Sequence, residues 1–133
     1  MSQENLQRVR DQYTRYNAGE RAPGRWFWHE DAEYHTARED PDHAVHRGID
    51  AIGKLFASWL DAYPDLRLEI QQAEAQGDKV FLWIRFTGHG AASGIPLEME
   101  LAHVLTLRDG KAASVVEYTD RKEALEAVEM RES

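Results

Sequence analysis

Residues 97–120, LEMELAHVLTLRDGKAASVVEYTD, do most to determine the fold assignment of this chain. Apolar residues recur with a period of two up to Asp109-Gly110, a pair typical of a tight hairpin turn. The segment therefore predicts two long antiparallel strands, 97–108 and 111–118. Asp120, with Glu123 three positions later, predicts the start of a terminal helix.

The segments before this hairpin complete an α+β pattern. Apolar residues alternate over 66–70, and Gly77-Asp78 predicts a second hairpin leading into a strand over 79–89. That strand is apolar on both faces, so it needs cover on both sides of the sheet. An apolar stripe at helical spacing runs over 49–63 and predicts a long helix that ends near Pro64.

The first third of the chain is predicted to be mostly helical. Apolar residues at helical spacing from Leu6 to Tyr16 predict a first helix that ends before Gly19. A second short helix is predicted over 25–30, with Trp26 and Phe27 packed inward. A short strand over 32–36 and a polar loop over 38–46 follow.

Composition limits the classes of function. The chain has 133 residues, a net charge of -8 and no cysteine, which predicts one domain over 1–133 without disulfides. The acidic balance argues against binding to nucleic acids or anionic membranes. No apolar run approaches the roughly 20 residues that span a bilayer. A cytoplasmic location is expected.

The order of these elements resembles the fold shared by nuclear transport factor two, ketosteroid isomerase and the SnoaL-like polyketide cyclases. The motifs that carry the resemblance are Tyr16-Asn17-Ala18-Gly19-Glu20, Arg47-Gly48-Ile49-Asp50-Ala51-Ile52, Ala62-Tyr63-Pro64-Asp65, Leu107-Arg108-Asp109-Gly110-Lys111 and Tyr118-Thr119-Asp120-Arg121. The resemblance implies a cone-shaped, curved antiparallel sheet wrapped around the long helix, with an internal pocket. It also implies a homodimer formed through the outer face of the sheet.

The residues that ketosteroid isomerase needs are largely missing. The resemblance places Thr36 at the position of the carboxylate base and Ala102 at that of the protonated acid. The essential tyrosine falls near Gln12, with Tyr13 beside it. Steroid isomerase activity is therefore not expected.

The SnoaL-like cyclases are the better match, and they close a ring by an aldol step that uses an acidic residue with a histidine nearby. That resemblance makes Glu117 the candidate base and His103 its partner, without a cofactor. Burial in an apolar cavity is expected to raise the pKa of Glu117. The alternative is that His103 is a packed core histidine and Glu117 an exposed or interface carboxylate.

The sequence leaves open which face of the sheet lines the pocket. His103 alternates with leucines on one face, whereas the isomerase alignment points Glu100, Ala102 and Val104 inward together with Glu117. Arg85 needs an anionic partner, either Glu98 or Glu100 across the sheet or a substrate carboxylate. The predicted pocket residues are Tyr13, Tyr34, Trp59, Trp83, Arg85, Glu100 and Val115. For Tyr34, Trp59 and Trp83 the alternative is a purely structural place in the hydrophobic core.

The remaining motifs favour no metal or cofactor. His29, His35, His43 and His46 lie among acidic residues, but their spacing fits no standard ligand pattern. Two functions are left open. One is an enzyme that transfers a proton on a small apolar carbonyl or polycyclic compound, and the other is a non-catalytic ligand-binding or dimeric interaction module.

Overall fold

The computed structural model describes residues 2–129, which form a six-stranded sheet with helices on both faces. The elements are α1 (Ser2–Asn17), β1 (Trp28–His35), β2 (Val45–Arg47), α2 (Ile49–Ala62), β3 (Arg67–Gln76), β4 (Lys79–His89), β5 (Pro96–Arg108), β6 (Lys111–Tyr118) and α3 (Arg121–Glu129). The strand order is β2-β1-β6-β5-β4-β3. The α+β class predicted from the sequence is confirmed.

The sheet is mixed, because β1 lies parallel to β6 while every other neighbouring pair is antiparallel. The predicted sheet was wholly antiparallel. The hairpin signals in the sequence fix only the meander from β3 to β6. They carry no information on how β1 docks on the free edge of β6.

The predicted short helix over 25–30 is wrong. Only one turn forms, in which Phe27 and Trp28 donate backbone hydrogen bonds to the carbonyl of Gly24, and the chain then enters β1 at Trp28. Phe27 points inward as predicted and is fully buried. Pairing of Trp28 with Ala112 on β6 replaces the helical hydrogen bonds that this segment would otherwise need.

The two faces of the sheet have separate cores. On one face, α1 and α2 pack on a large cluster that includes Val80, Leu82 and Ile84 of β4. On the other face, Phe81 of β4 packs with residues of α3, among them Ala124. The prediction that β4 is covered on both sides is therefore confirmed. In the described part of the chain no helix is long and apolar enough to cross a membrane.

A β-bulge in the β5–β6 hairpin determines which residues face α1 and α2. The hairpin starts with Arg108 opposite Lys111, but Thr106 lies opposite Ser114, so Ala113 is an extra residue on β6. An extra residue turns every later side chain of that strand to the other face. Beyond the bulge, His103 lies directly opposite Glu117.

Candidate functional site

Glu117 and His103 meet on the inner face of the sheet, between β6 and β5. Both are buried, with 7% of Glu117 and 2% of His103 exposed. Val115, two residues before Glu117, belongs to the same inner core. A carboxylate at such a depth is kept in a fold only when other groups compensate its lost hydration.

Four side chains supply that compensation to one another. The Tyr34 hydroxyl of β1 donates to Glu117 Oε2 over 2.6 Å. His103 Nε2 lies 3.3 Å from the same oxygen and 3.1 Å from the Tyr34 hydroxyl. On the far side of the imidazole, the Tyr13 hydroxyl of α1 lies 2.7 Å from Nδ1. The backbone N–H of Ala37 donates to Glu117 Oε1 over 3.3 Å.

These contacts fix two of the protons. Tyr34 uses its hydrogen on Glu117, so it can only accept from His103, and Nε2 must carry a hydrogen. Tyr13 donates to Nδ1 when the ring is neutral and accepts from it when the ring is charged. In both cases the hydrogen bonds connect Tyr13 through His103 to Glu117 without a break.

The pKa values of the site follow from this arrangement. Burial alone would raise the pKa of Glu117, but the hydrogen bond and the positive charge of His103, with the hydrogen bonds from Tyr34 and the Ala37 amide, outweigh it and hold the pKa below its usual value. The raised pKa expected from the sequence is therefore wrong. Burial and the nearby charge of Glu117 raise the pKa values of Tyr13 and Tyr34, so both keep their protons.

Glu117 borders a cavity of about 240 Å³ at the open end of the sheet. The walls are mostly apolar, and Asp40 and Ser58 add polar groups. Ser58 Oγ already donates to the carbonyl of Leu55 within α2, over 2.6 Å. The other lining residues are Trp59, Ala62, Tyr63, Leu66, Phe86, Leu97, Met99 and Leu101. The cavity can therefore take an apolar molecule with its edge against an ionised carboxylate.

Four of the residues predicted for the pocket lie on this inner side. Tyr13 and Tyr34 belong to the hydrogen-bonded group, Trp59 lines the cavity, and Val115 is fully buried in the core next to it.

Trp83, Arg85 and Glu100 lie on the outer face instead, away from the cavity. Trp83 donates through Nε1 to Glu100 over 3.0 Å, and Arg85 pairs with Glu98 at 2.7 Å. Strand alternation explains the difference from the prediction, since these positions of β4 and β5 have the opposite parity to His103. The partner of Arg85 is thus within the protein.

Sequence reasoning missed the parts of the site that come from loops and from core aromatics. The Ala37 amide could not be found, because a backbone N–H leaves no residue-type signal. Tyr16 and Trp28 line a second cavity; Tyr16 appeared in the apolar stripe of the first helix but not as a site residue, and Trp28 was not singled out. The spacing of Tyr16 three residues after Tyr13 would have placed both on one face of α1.

The histidines of the first loop region do not gather at one point. His29 contacts the carbonyl of Arg108, and His43 that of Thr36. Within residues 2–129, no group of three or more histidine, aspartate or glutamate side chains has the geometry to hold a metal ion.

Comparison with protein families agrees with this architecture. Residues 9–115 match the SnoaL-like domain. The chain belongs to this family. The match includes His103 and ends two residues before Glu117, so the family assignment does not depend on the candidate base.

Solved structures similar to this SnoaL-like domain share its fold. An NTF2-like protein from Burkholderia xenovorans is 25% identical with a TM-score of 0.72, covering 96% of this chain and 97% of its own. TerC, co-crystallised with polyporic acid, is 19% identical with a TM-score of 0.75, covering 95% and 98%. A ketosteroid isomerase-like protein from Catenulispora acidiphila, in complex with trimethylamine, is 17% identical with a TM-score of 0.73, covering 92% of each chain. No curated protein matches the sequence.

Proposed function

We propose that this SnoaL-like domain binds a small apolar carbonyl or polycyclic compound beside Glu117 and transfers a proton on it without a cofactor. One observation carries the proposal: an ionised, buried carboxylate borders an apolar cavity of about 240 Å³. A ligand in that cavity presents its C–H bonds to the carboxylate. Removal of water from around the carboxylate on binding makes it a stronger base.

The proton-transfer step uses the carboxylate of Glu117. It takes a proton from a carbon next to the ligand carbonyl, and the electrons of the C–H bond move onto the carbonyl oxygen as an enolate. The neutral acid can then return the proton to carbon. Alternatively, the enolate carbon attacks a second carbonyl of the ligand, and the alkoxide formed in this ring closure takes the proton back from Glu117. His103 and Tyr34 hold Glu117 Oε2 from behind and act as positioning residues, since both bond the carboxylate.

Two of the similar proteins support a small-molecule ligand. TerC was crystallised with polyporic acid and the Catenulispora protein with trimethylamine. These observations concern those proteins, and their identity to this chain is too low to transfer a substrate.

Solvent deuterium exchange tests proton transfer without knowledge of the natural substrate. 1-Tetralone, a bicyclic ketone, is incubated in D₂O with the protein, and deuterium at its α-carbon is followed by mass spectrometry. Exchange above background in the unmodified protein, and its loss in Glu117→Gln, are expected. Glu69→Gln, which changes an exposed glutamate of β3, should exchange at the unmodified rate. Equal exchange in Glu117→Gln would remove Glu117 from the mechanism.

A binding module without catalysis is the second candidate, and the hydrogen bonds of Glu117 favour it. Both carboxylate oxygens already accept hydrogen bonds, and the lowered pKa weakens the base. In this reading Glu117 anchors the segment after β1 through the Ala37 amide. Binding of 1-tetralone by thermal shift without any deuterium exchange would support it.

A further inference from the structure

A second, smaller cavity of about 30 Å³, here called the inner cavity, is lined by residues of α1, β1, α2 and β3. Trp59 lines both cavities, so the two adjoin at its indole. That ring stacks on Phe56, with centroids 5.2 Å apart, and meets Tyr34 edge-on at 5.6 Å. The polar side chains at the inner cavity are Gln12, Tyr13, Tyr16, Trp28 and Tyr34.

Two hydrogen-bond donors at this cavity lack an acceptor. Trp28 Nε1 and the Tyr16 hydroxyl are buried and have no hydrogen-bond partner among the described residues. The Arg21 guanidinium lies 4.6 Å from the centroid of the Tyr16 ring, but a guanidinium only donates. Arg21 therefore acts on the Tyr16 hydroxyl only as a donor, opposing the rise in the Tyr16 pKa that burial causes. The O–H of Tyr16 and the N–H of Trp28 thus have no acceptor among the described residues.

The size and chemistry of the cavity define what fits. A buried water needs roughly 10–15 Å³ of such space and two to four polar partners, so about 30 Å³ holds one or two oxygen-sized groups and no ring. An indole N–H can only donate, which excludes an ammonium or another N–H at that point. Gln12 is buried and lines the same cavity, where its side-chain amide is a third polar group.

We propose that the inner cavity is a subsite for a single hydrogen-bond-accepting oxygen, bound by Trp28 Nε1–H, the Tyr16 hydroxyl and Gln12. A water molecule supplies that oxygen in the free protein. A carbonyl or hydroxyl oxygen of a ligand in the larger cavity replaces it. The ligand as the source of the oxygen rests on the proposed function, whereas the water molecule does not.

Stability of Tyr16→Phe tests the subsite without any ligand. If an oxygen bridges the donors, loss of the hydroxyl removes a hydrogen bond and lowers the Tm by roughly 3 °C. If the cavity is dry, the variant loses only an unpaired buried group and becomes more stable. Tyr63→Phe, whose ring lines the outer cavity, is the matched control.

NMR of the Trp28 indole ¹H–¹⁵N pair identifies the source of the oxygen. A cross-peak to water is expected in the free protein, and its loss is expected with 2-naphthol but not with naphthalene, which lacks the oxygen. If 2-naphthol binds more tightly than naphthalene and loses that advantage in Tyr16→Phe, the ligand supplies the oxygen. If the water cross-peak persists with 2-naphthol bound, the ligand is not the source, but the subsite for water stands. Failure of both probes to bind with the water contact intact would defeat the proposed function and leave the subsite standing. No water contact together with a stabilising Tyr16→Phe overturns the subsite.

Discussion

Replacing Glu117 by glutamine should destabilise the fold in a way that depends on pH. The carboxylate accepts from Tyr34 at 2.6 Å, His103 at 3.3 Å and the Ala37 amide at 3.3 Å. Glutamine keeps the size but has one acceptor oxygen, so its NH₂ group must face a donor. Hydrogen bonds to a charged group contribute about 1.5–3 kcal/mol each, and neutral ones about 1 kcal/mol.

The expected loss at pH 7 is about 3 kcal/mol, or roughly 10 °C in Tm. This loss is smaller than the roughly 5 kcal/mol that removal of one partner of a buried ion pair can cost, because a neutral amide costs less to bury than an unpaired charge. Urea unfolding followed by tryptophan fluorescence measures the difference. Glu69→Gln, on the exposed side of β3, should change stability by less than about 0.5 kcal/mol.

The sign of the pH dependence distinguishes this explanation from a simple packing defect. The pKa of Glu117 in the folded protein is lowered from its usual 4.5. The ionised carboxylate therefore stabilises the fold fully above the pKa of the unfolded chain, and this stabilisation is lost as the pH falls through the pKa of the folded protein. The difference in the free energy of unfolding between the unmodified protein and Glu117→Gln should therefore be constant from pH 6 to 8 and shrink below about pH 4.5. A gap that widens in acid, or a more stable variant at pH 7, would refute the reasoning.

Three further outcomes follow from the same contacts. Tyr34→Phe should cost about 2 kcal/mol and raise the pKa of Glu117, because Tyr34 donates to the carboxylate. Tyr13→Phe should cost about 1 kcal/mol, because Tyr13 bonds the imidazole and not the carboxylate. Carboxyl ¹³C titration and urea unfolding measure both effects, and the reverse order of costs would contradict the assignment of the Tyr34 proton to Glu117. Asp120→Ala should cost about 1 kcal/mol in thermal unfolding, since the Asp120 carboxylate caps α3 by accepting from the N–H of Lys122 at 2.8 Å. An unchanged stability would contradict this capping role. A homodimer through the outer face should sediment at twice 15.3 kDa and dissociate in Trp83→Glu, and a monomer at micromolar concentration would exclude it.

Much of the fold could be predicted because local signals agreed with the tertiary structure. Asp109-Gly110 and Gly77-Asp78 close the hairpins that they predict, and the stripe from Ile49 becomes α2. The segment at Trp28 failed because pairing with β6, a contact distant in sequence, overrides a local helical pattern. Glu117 and His103 could be named from the resemblance to the cyclases. Tyr13 and Tyr34 were expected only as pocket residues, and their hydrogen bonds to this pair could not be predicted because they reach it from two other elements.

The face that lines the cavity could not be predicted, and one residue is the reason. A hairpin continued without interruption from the Arg108–Lys111 pair would set Glu117 opposite Ala102, on the outer face. The isomerase alignment likewise grouped Glu117 with Ala102, but it pointed both toward the cavity. The extra residue Ala113 shifts the register, so that Glu117 lies opposite His103. No turn motif or alternation around Ala113 marks the bulge, and yet the candidate site exists only because of it.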